Sequence, residues 1–116
     1  MAREQAESGR AARLPEMSLF SRPSSEPAPP LDAQKLVLYH YPSCFFCMRV
    51  RAEAEALGVE LELRDIHSDP EHADELYSAR GRLTVPVLRL AYADDAEHWY
   101  PESRDIVQWL RAHAAR

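Results

Sequence analysis

One junction constrains the fold more than any other part of the sequence: residues 35–41, KLVLYHY, run directly into a helical pattern. A largely apolar run of this length is typical of a strand that is covered on both faces. The apolar residues after it recur at spacings of four, four and three: Phe46, Val50, Ala54 and Leu57. This spacing predicts one buried side of a helix, which ends at Gly58 because glycine favours the left-handed conformation of a helix terminus. The ordered part of the chain therefore begins with a buried strand followed at once by a helix.

The next two elements follow from alternation and from capping residues. Residues 59–64, VELELR, alternate apolar and polar side chains, which predicts an edge strand with one exposed face. Asp69 as N-cap and Pro70 at the first helical position predict the start of a second helix, and Gly81 ends it. Four residues form its predicted inward stripe: Ala73, Leu76, Tyr77 and Arg80.

The remaining residues have the pattern of a hairpin and a last helix. Residues 84–92 and 98–100 form the two predicted strands, joined by the polar turn of residues 93–97. Ser103 is predicted to cap the last helix, whose inward side consists of Ile106, Val107 and Leu110. The element order β-α-β-α-β-β-α predicts an α/β sandwich with a four-stranded mixed sheet. In this sheet a right-handed crossover joins two parallel strands, and the hairpin adds antiparallel ones.

The composition changes sharply near residue 33. Residues 15–30 contain five of the nine prolines of the chain and end in SRPSSEPAPP. Such a stretch buries too little apolar surface to offset the entropy lost on ordering it. We therefore expect residues 1–33 to form a disordered tail and residues 34–116 to form a single domain.

Charge and hydropathy exclude several classes of protein. The formal net charge is −5 and the basic residues are scattered, which argues against nucleic acid as a partner. No apolar run reaches the roughly 20 residues that a membrane-spanning helix needs. The opening residues, MAREQAESGR, contain no apolar signal-peptide core, so we expect a cytoplasmic protein. We also expect a monomer that binds no membrane.

Both cysteines of the chain lie where the first strand meets the first helix. The pattern places Cys44 at the helix start, where free N–H groups and the positive end of the helix dipole favour a thiolate. Thiols in such positions have pKa values lowered to about 3.5–7.5. Cys47 lies one turn further in, on the same side, close enough to bond to Cys44 but shielded. A CxxC after a strand is typical of redox chemistry, so we expect an exposed Cys44 to attack disulfides and Cys47 to resolve the product.

A metal site is the alternative reading of the same cysteines. Cys44 and Cys47 with His67 and His72 have the spacing C-x2-C-x19-H-x4-H, which superficially matches that of zinc ligands. The gap before His67 contains a predicted helix and strand, each with its own apolar face. We therefore favour reactive thiols and predict no metal ligands at this site.

Three segments resemble the glutaredoxin family of the thioredoxin-fold superfamily: YPSCFFC at 41–47, TVP at 84–86 and ESRDIVQWL at 102–110. With the element order, the resemblance covers residues 35–116. It implies a thioredoxin-like fold and a glutathione-dependent oxidoreductase that reduces protein or glutathione mixed disulfides in electron transport. In that mechanism the first cysteine forms a mixed disulfide with glutathione, which a second glutathione or the second cysteine releases.

The resemblance also implies which residues contact glutathione. Thr84, Val85 and Pro86 match a segment that contains a cis-proline, where the backbone at Val85 pairs with the cysteine of glutathione like an added strand. Glu102 and Ser103 match the residues that hold the γ-glutamyl end. Five further residues complete the predicted site: Tyr41, Ser43, Phe45, Phe46 and Arg82, the last of which meets the glycine carboxylate.

The chain departs from the glutaredoxin pattern in three places. Phe45 stands where many relatives have proline, Tyr41 where many dithiol relatives have lysine, and Glu102-Ser103 where a glycine-containing pair is common. The last change and YPSC resemble the glutathione-transferase-like branch. One alternative is therefore a transferase N-terminal domain, although such enzymes use an additional helical domain for which no residues follow Arg116. The other is a module that holds zinc, or an iron–sulfur cluster between two copies, through the thiols.

Overall fold

The structure is a computed structural model that describes residues 27–116. Within these residues the elements are, in chain order, β1 (Lys35–His40), α1 (Phe45–Leu57), β2 (Glu62–Asp65), α2 (Pro70–Arg80), β3 (Val87–Ala91), β4 (Glu97–Pro101) and α3 (Ser103–Ala114). No helix in this part of the chain has the length and hydropathy needed to cross a bilayer. The predicted element order and the thioredoxin-like α/β fold are confirmed.

The four strands form one mixed sheet in the order β2-β1-β3-β4. β1 pairs in parallel with the edge strand β2 and antiparallel with β3, while β3 and β4 form the antiparallel hairpin. β1 is therefore flanked on both sides. Its side chains from Leu36 to His40 are all buried, as the apolar run predicted.

The sheet separates two cores because successive side chains of a strand point to opposite faces. Leu36 and Leu38 of β1 join the larger core, which α1 and α3 cover. Val37 and Tyr39 join the smaller core on the other face, where Leu76 of α2 packs. α1 and α3 therefore lie on the same face of the sheet, and residues near their N-terminal ends, Phe46 and Ser103, line one cleft.

Helix α2 packs on the sheet through fewer apolar side chains than its predicted inward stripe contains. Leu76 is its one fully buried side chain, and Tyr77 is exposed, so the predicted inward position of Tyr77 is wrong. Polar contacts replace the missing apolar ones. The Tyr39 hydroxyl donates to Glu75 Oε1 at 2.8 Å, and Arg64 Nη1 donates to the same oxygen at 2.8 Å. These bonds connect α2 to β1 and β2.

The edge strand is also shorter than predicted. β2 spans Glu62–Asp65, whereas the alternation of apolar residues predicted a strand over residues 59–64. Val59 and Leu61 still pack against the larger core, but Leu63 is exposed. The alternation therefore predicts burial correctly for Val59 and Leu61, which precede β2, and wrongly for Leu63, which lies in it. An edge strand has few neighbours to cover its side chains.

Residues just before β1 pack onto the domain through their carbonyl groups. Trp109 Nε1 donates to Pro29 O at 2.9 Å, and the Tyr92 hydroxyl donates to Pro30 O at 2.8 Å. Ala33 is buried in the larger core. The packed chain therefore begins upstream of residue 34, where we predicted the domain to start. The rest of the predicted tail, residues 1–26, lies outside the described residues.

Candidate active site

Cys44 is the N-cap residue of α1 and lies in a tight turn. Its N–H donates to Tyr41 O at 3.1 Å, and its carbonyl accepts from the N–H of Met48 at 2.9 Å, which starts the helix. Its side chain makes no capping hydrogen bond, and the first turn of α1 contains no acidic residue. The positive end of the helix is therefore left without an anionic side chain, which is the environment that suits a thiolate or a bound anion.

The two thiols are free and differ in burial. Cys47 is fully buried, and Cys44 is 8% exposed. The expectation of an exposed Cys44 is therefore wrong, since the turn from Tyr41 to Cys44 leaves its side chain little access to solvent. Burial, followed by a hydrogen bond with the Cys44 side chain, raises the pKa of the Cys47 thiol to about 12. Cys47 is accordingly protonated in the reduced protein and lies in hydrogen-bonding contact with Cys44.

A cleft of about 250 Å³ lies where the start of α1, the segment before β3 and the start of α3 come together. Seven of the twelve predicted site residues line it: Phe46, Arg82, Thr84, Val85, Pro86, Glu102 and Ser103. These residues come from three segments that are far apart in sequence. The fold thus collects most of the predicted glutathione contacts in one place.

The other five predicted residues do not line the cleft. Cys44 and Cys47 lie beside it, on the same helix as Phe46. Phe45 is 71% exposed and makes an edge-to-face contact with Phe46, with ring centroids 5.7 Å apart. Ser43 is exposed in the turn. Tyr41 stacks on His67, with ring centroids 4.0 Å apart, and its predicted contact with glutathione stays a prediction.

One wall of the cleft is the segment that leads into β3. The Val85–Pro86 peptide bond is cis, as the resemblance implied. The sheet ladder of β3 begins two residues after Val85, where Val87 pairs with Tyr39 and with Pro101. Thr84 and Val85 therefore lie outside the sheet ladder, at a bend just before β3.

The opposite wall is the start of α3. Glu102 is the N-cap of this helix, with φ 78° and ψ 109°, and Ser103 is its first helical residue. The prediction that Ser103 caps the helix is therefore off by one residue. A positive φ is unfavourable for a residue with a side chain, and such backbone conformations occur mostly where function requires them. The Glu102 side chain makes no capping bond, so its carboxylate is left for the cleft.

Arg80 lines the cleft and was not predicted to do so. It lies in the last turn of α2, and its Nε atom is buried without a hydrogen-bond partner. From the sequence we assigned Arg80 to the inward stripe of α2. The one available signal was the pair of arginines around the helix-ending Gly81, Arg80 and Arg82. The cleft therefore holds two guanidinium groups and the carboxylate of Glu102.

The structure does not assemble the histidines of the alternative metal site around the cysteines. His67 stacks on Tyr41, and His72 Nε2 lies 3.6 Å from Asp69 Oδ2 at the start of α2. Among residues 27–116 there is no group of three or more histidine, cysteine or acidic side chains placed to hold a metal ion.

Comparison with protein families identifies the domain. Residues 38–116 match the model of the glutathione S-transferase N-terminal domain. The chain belongs to this family. The match covers the CxxC motif, the cleft and all three helices, and it agrees with the transferase-like branch indicated by YPSC and by Glu102-Ser103. A search of curated protein sequences finds no match.

Solved structures of glutathione enzymes share the fold of this glutathione S-transferase N-terminal domain. Maleylacetoacetate isomerase from Anaeromyxobacter dehalogenans, with glutathione bound in its active site, is 26% identical, with a TM-score of 0.54 over 71% of this chain. A trimeric glutathione transferase from Leishmania is 31% identical, with a TM-score of 0.54 over 65% of this chain. A glutaredoxin from Archaeoglobus fulgidus, 20% identical over 66% of this chain and 86% of its own, shares the fold with a TM-score of 0.50.

The matched proteins differ from this chain in length. The chain spans 38% of the isomerase and 17% of the Leishmania transferase. The likeness therefore concerns only a part of each of these two proteins.

Proposed function

We propose that the protein is a glutathione-dependent thiol–disulfide oxidoreductase in which Cys44 is the nucleophile and Cys47 resolves the mixed disulfide. The observation that carries the proposal is the position of Cys44. It occupies an uncapped helix start, in contact with a buried second thiol and beside a cleft whose charges fit glutathione. Glutathione in the active site of the related isomerase supports the choice of ligand.

The charges of the cleft match those of the tripeptide. Glutathione has two carboxylates and one amine. The Glu102 carboxylate is suited to the amine, and the start of α3 at Ser103 offers N–H groups and a hydroxyl to the γ-glutamyl carboxylate. Arg82, with Arg80 beside it, is suited to the glycine carboxylate. The backbone at Val85, which lies outside the sheet ladder, would pair with the cysteine between these two ends.

The reaction proceeds by two thiol–disulfide exchanges. The Cys44 thiolate attacks the glutathione sulfur of a glutathionylated protein. A Cys44–glutathione disulfide forms, and the protein thiolate leaves and takes up a proton. A second glutathione thiolate then attacks the glutathione sulfur of the mixed disulfide and releases Cys44 with glutathione disulfide. Alternatively, Cys47 attacks Cys44 and releases glutathione.

The small exposure of Cys44 restricts the substrate. A thiol on a residue that is only 8% exposed can be approached over a narrow range of directions, and disulfide exchange requires the attacking and departing sulfurs to lie close to a line. Glutathione attached to a protein is a flexible, extended disulfide and meets this requirement better than a disulfide inside a rigid domain. We propose glutathionylated proteins as partners and a reducing cytoplasm, which supplies glutathione, as the location. We also propose that the chain acts as a monomer.

Steady-state reduction of a glutathionylated peptide by glutathione tests the proposal. We expect Cys44→Ser to abolish the activity and Cys47→Ser to retain a substantial part of it, since a second glutathione can replace the resolving thiol. Ser78→Ala, which changes an exposed serine on α2 outside the cleft, is the control and should retain full activity. Similar activities for the Cys44 and Cys47 variants would overturn the proposal.

The family match favours a second candidate, which is transfer of glutathione to an electrophile. In that reaction the cleft holds glutathione and the attacking sulfur belongs to glutathione itself. Conjugation of an activated aryl halide separates the two candidates. Transfer activity that survives Cys44→Ser would establish the second, whereas disulfide reduction that requires Cys44 would establish the first.

A further inference from the structure

Arg51 lies next to the two thiols in a position that the exchange mechanism has not used. It follows Cys47 by four residues on α1, so the two side chains are neighbours on the same side of the helix. Long side chains on a helix lean towards its N-terminus. Arg51 does so, because its Nη2 donates to Pro42 O at 3.3 Å, in the turn that precedes Cys44. Its guanidinium group therefore extends from the second turn of α1 back past Cys47.

Part of this side chain is enclosed. Arg51 is half-buried, and its Nε atom is buried without a hydrogen-bond partner. A positive charge in such a place is less screened by solvent than one on the surface. Its charge partly opposes the rise that burial causes in the pKa of Cys47, and it adds to the fall that burial causes in the pKa of His40.

The other groups around Arg51 leave it as the main positive charge beside Cys47. His40 lies at the end of β1 on the face that packs against α1. Burial is the chief cause that lowers the pKa of His40, so this side chain is neutral at pH 7. Asp65, the partner of His40 across the sheet, is negative, and its Oδ1 accepts from the N–H of His67 at 2.8 Å. Towards the start of α1 the neighbouring group is the Cys44 thiol, and one turn towards its end Glu55 lines a shallow surface pocket with Arg51.

We propose that Arg51 is a positioning residue for the resolving step, in which it stabilises the thiolate of Cys47 while Cys44 is bound to glutathione. The inference rests on the proposed function and concerns the second exchange alone. The step is balanced as follows. Cys47 loses a proton to solvent, and its thiolate forms a bond to Cys44 Sγ. The bond between Cys44 and glutathione breaks, and the glutathione thiolate leaves.

The need for Arg51 arises from the change at Cys44 during the reaction. In the reduced protein, burial and the neighbouring Cys44 thiol hold the proton on Cys47. Once Cys44 is in a disulfide, its sulfur has neither a proton nor a charge, so its contribution is removed. Burial still raises the pKa of Cys47, and two groups lower it, the backbone of Tyr41 and the charge of Arg51. Arg51 is the charged one of these two.

Single-turnover experiments across pH test this inference. Reduced protein is mixed with glutathione disulfide and quenched with acid at short intervals. Mass spectrometry then separates the Cys44–glutathione adduct from the Cys44–Cys47 disulfide. For Arg51→Gln, we expect the midpoint of the resolving rate to rise by about one pH unit, with about a tenfold lower rate at pH 7, the lower end of the effect of a nearby opposite charge.

Two further variants separate charge from structure. Arg51→Lys keeps the charge but lacks the planar fork, so its midpoint should stay near that of the wild type. This result also tests the inference if Arg51→Gln does not fold. Arg49→Gln removes the same charge from an exposed position two residues away on α1 and should change nothing.

Three results would count against the inference. An unchanged midpoint in Arg51→Gln would overturn it, and so would a shifted midpoint in Arg51→Lys. If Arg51→Gln and Arg51→Lys slow the resolving step equally and leave its pH midpoint unchanged, Arg51 only holds the turn at Pro42 in place. Failure of the wild type to form any Cys44 adduct would instead overturn the proposed function, which keeps the two failures distinct.

Discussion

The three helices of the domain begin in two different ways. The start of α2 is capped by its own side chains, since Asp69 Oδ1 accepts from the N–H of Glu71 at 2.9 Å and Pro70 and Glu71 follow in the first turn. The starts of α1 and α3 have no side-chain cap, and their N-cap residues are Cys44 and Glu102. The capped start lies away from the cleft, which α2 reaches only at Arg80 in its last turn.

The difference between capped and uncapped helix starts indicates which of them are available to bind a ligand. A helix start has unpaired N–H groups and a partial positive charge, which a capping side chain satisfies at a gain of about 1 kcal/mol. α2 uses that gain for stability. α1 and α3 leave the same groups to a thiolate and to a bound carboxylate in our proposal, and Glu102 adds an unfavourable backbone conformation. Stability and function are therefore divided between helix starts of one fold.

The largest expected effect comes from giving α1 an ordinary cap. Cys44→Ser places a good N-cap residue at a position whose φ of −75° and ψ of 119° already suit one. We expect this variant to lose all disulfide reductase activity and to gain about 1 kcal/mol in the free energy of unfolding. Urea unfolding under reducing conditions measures the gain.

Cys47→Ser is the control for the Cys44 variant. It makes the same atomic change one turn further in, where the side chain is fully buried and cannot cap. We expect it to be less stable than the wild type because a hydroxyl group is buried. A Cys44→Ser protein that is equally destabilised would show that α1 is stabilised by Cys44 itself and would remove the contrast with α2.

A smaller effect is expected at the start of α3. Glu102→Gly removes the carboxylate and also the unfavourable positive φ, whereas Glu102→Gln removes the charge alone. Both variants should raise the KM for glutathione by about tenfold, through loss of one charged contact. The glycine variant should be more stable than the glutamine variant by about 1 kcal/mol. Steady-state kinetics and thermal unfolding measure the two quantities.

Two outcomes for the Glu102 variants would contradict these expectations. Equal stabilities of the glycine and glutamine variants would mean that the conformation of Glu102 carries no cost. An unchanged KM in both would remove Glu102 from the glutathione site, and the uncapped start of α3 would then need another explanation.

The smallest effect is expected at α2. Asp69→Ala removes the cap and should lower the free energy of unfolding by about 1 kcal/mol, with kcat and KM unchanged within a factor of about two. Asp69→Ser, which retains a capping oxygen, is the control and should stay close to the wild type. A several-fold change in KM for the alanine variant would show that the start of α2 is coupled to Arg80, and the division between the helices would fail.

Much of the fold was predictable because its signals are local. The capping residues Asp69 and Pro70 and the glycines after α1 and α2 act on the residues beside them, and the structure confirms each of these boundaries. The burial of β1 was also predictable from its composition. Tyr77, Leu63 and Phe46 were predicted to be buried and are exposed, because apolar character at the right spacing does not guarantee a neighbour to pack against.

The site was predictable in part. Resemblance to a family supplied the seven predicted residues that line the cleft. Arg80 was missed because nothing in the residues around it shows that the end of α2 faces Phe46 and Glu102. The burial of Cys44 was missed for a similar reason, since solvent access depends on how the turn before it is folded.

The sequence alone determined the order of the elements, the ends of the first two helices and the position of Cys44 at a helix start. Those properties depend on residues within about one turn of each other. Only the tertiary structure decided which side chains share the cleft, how deeply each thiol is buried and that Arg51 reaches back to Pro42. These properties depend on how layers and turns pack, where contacts between distant or unpatterned residues leave no periodic signal in the chain.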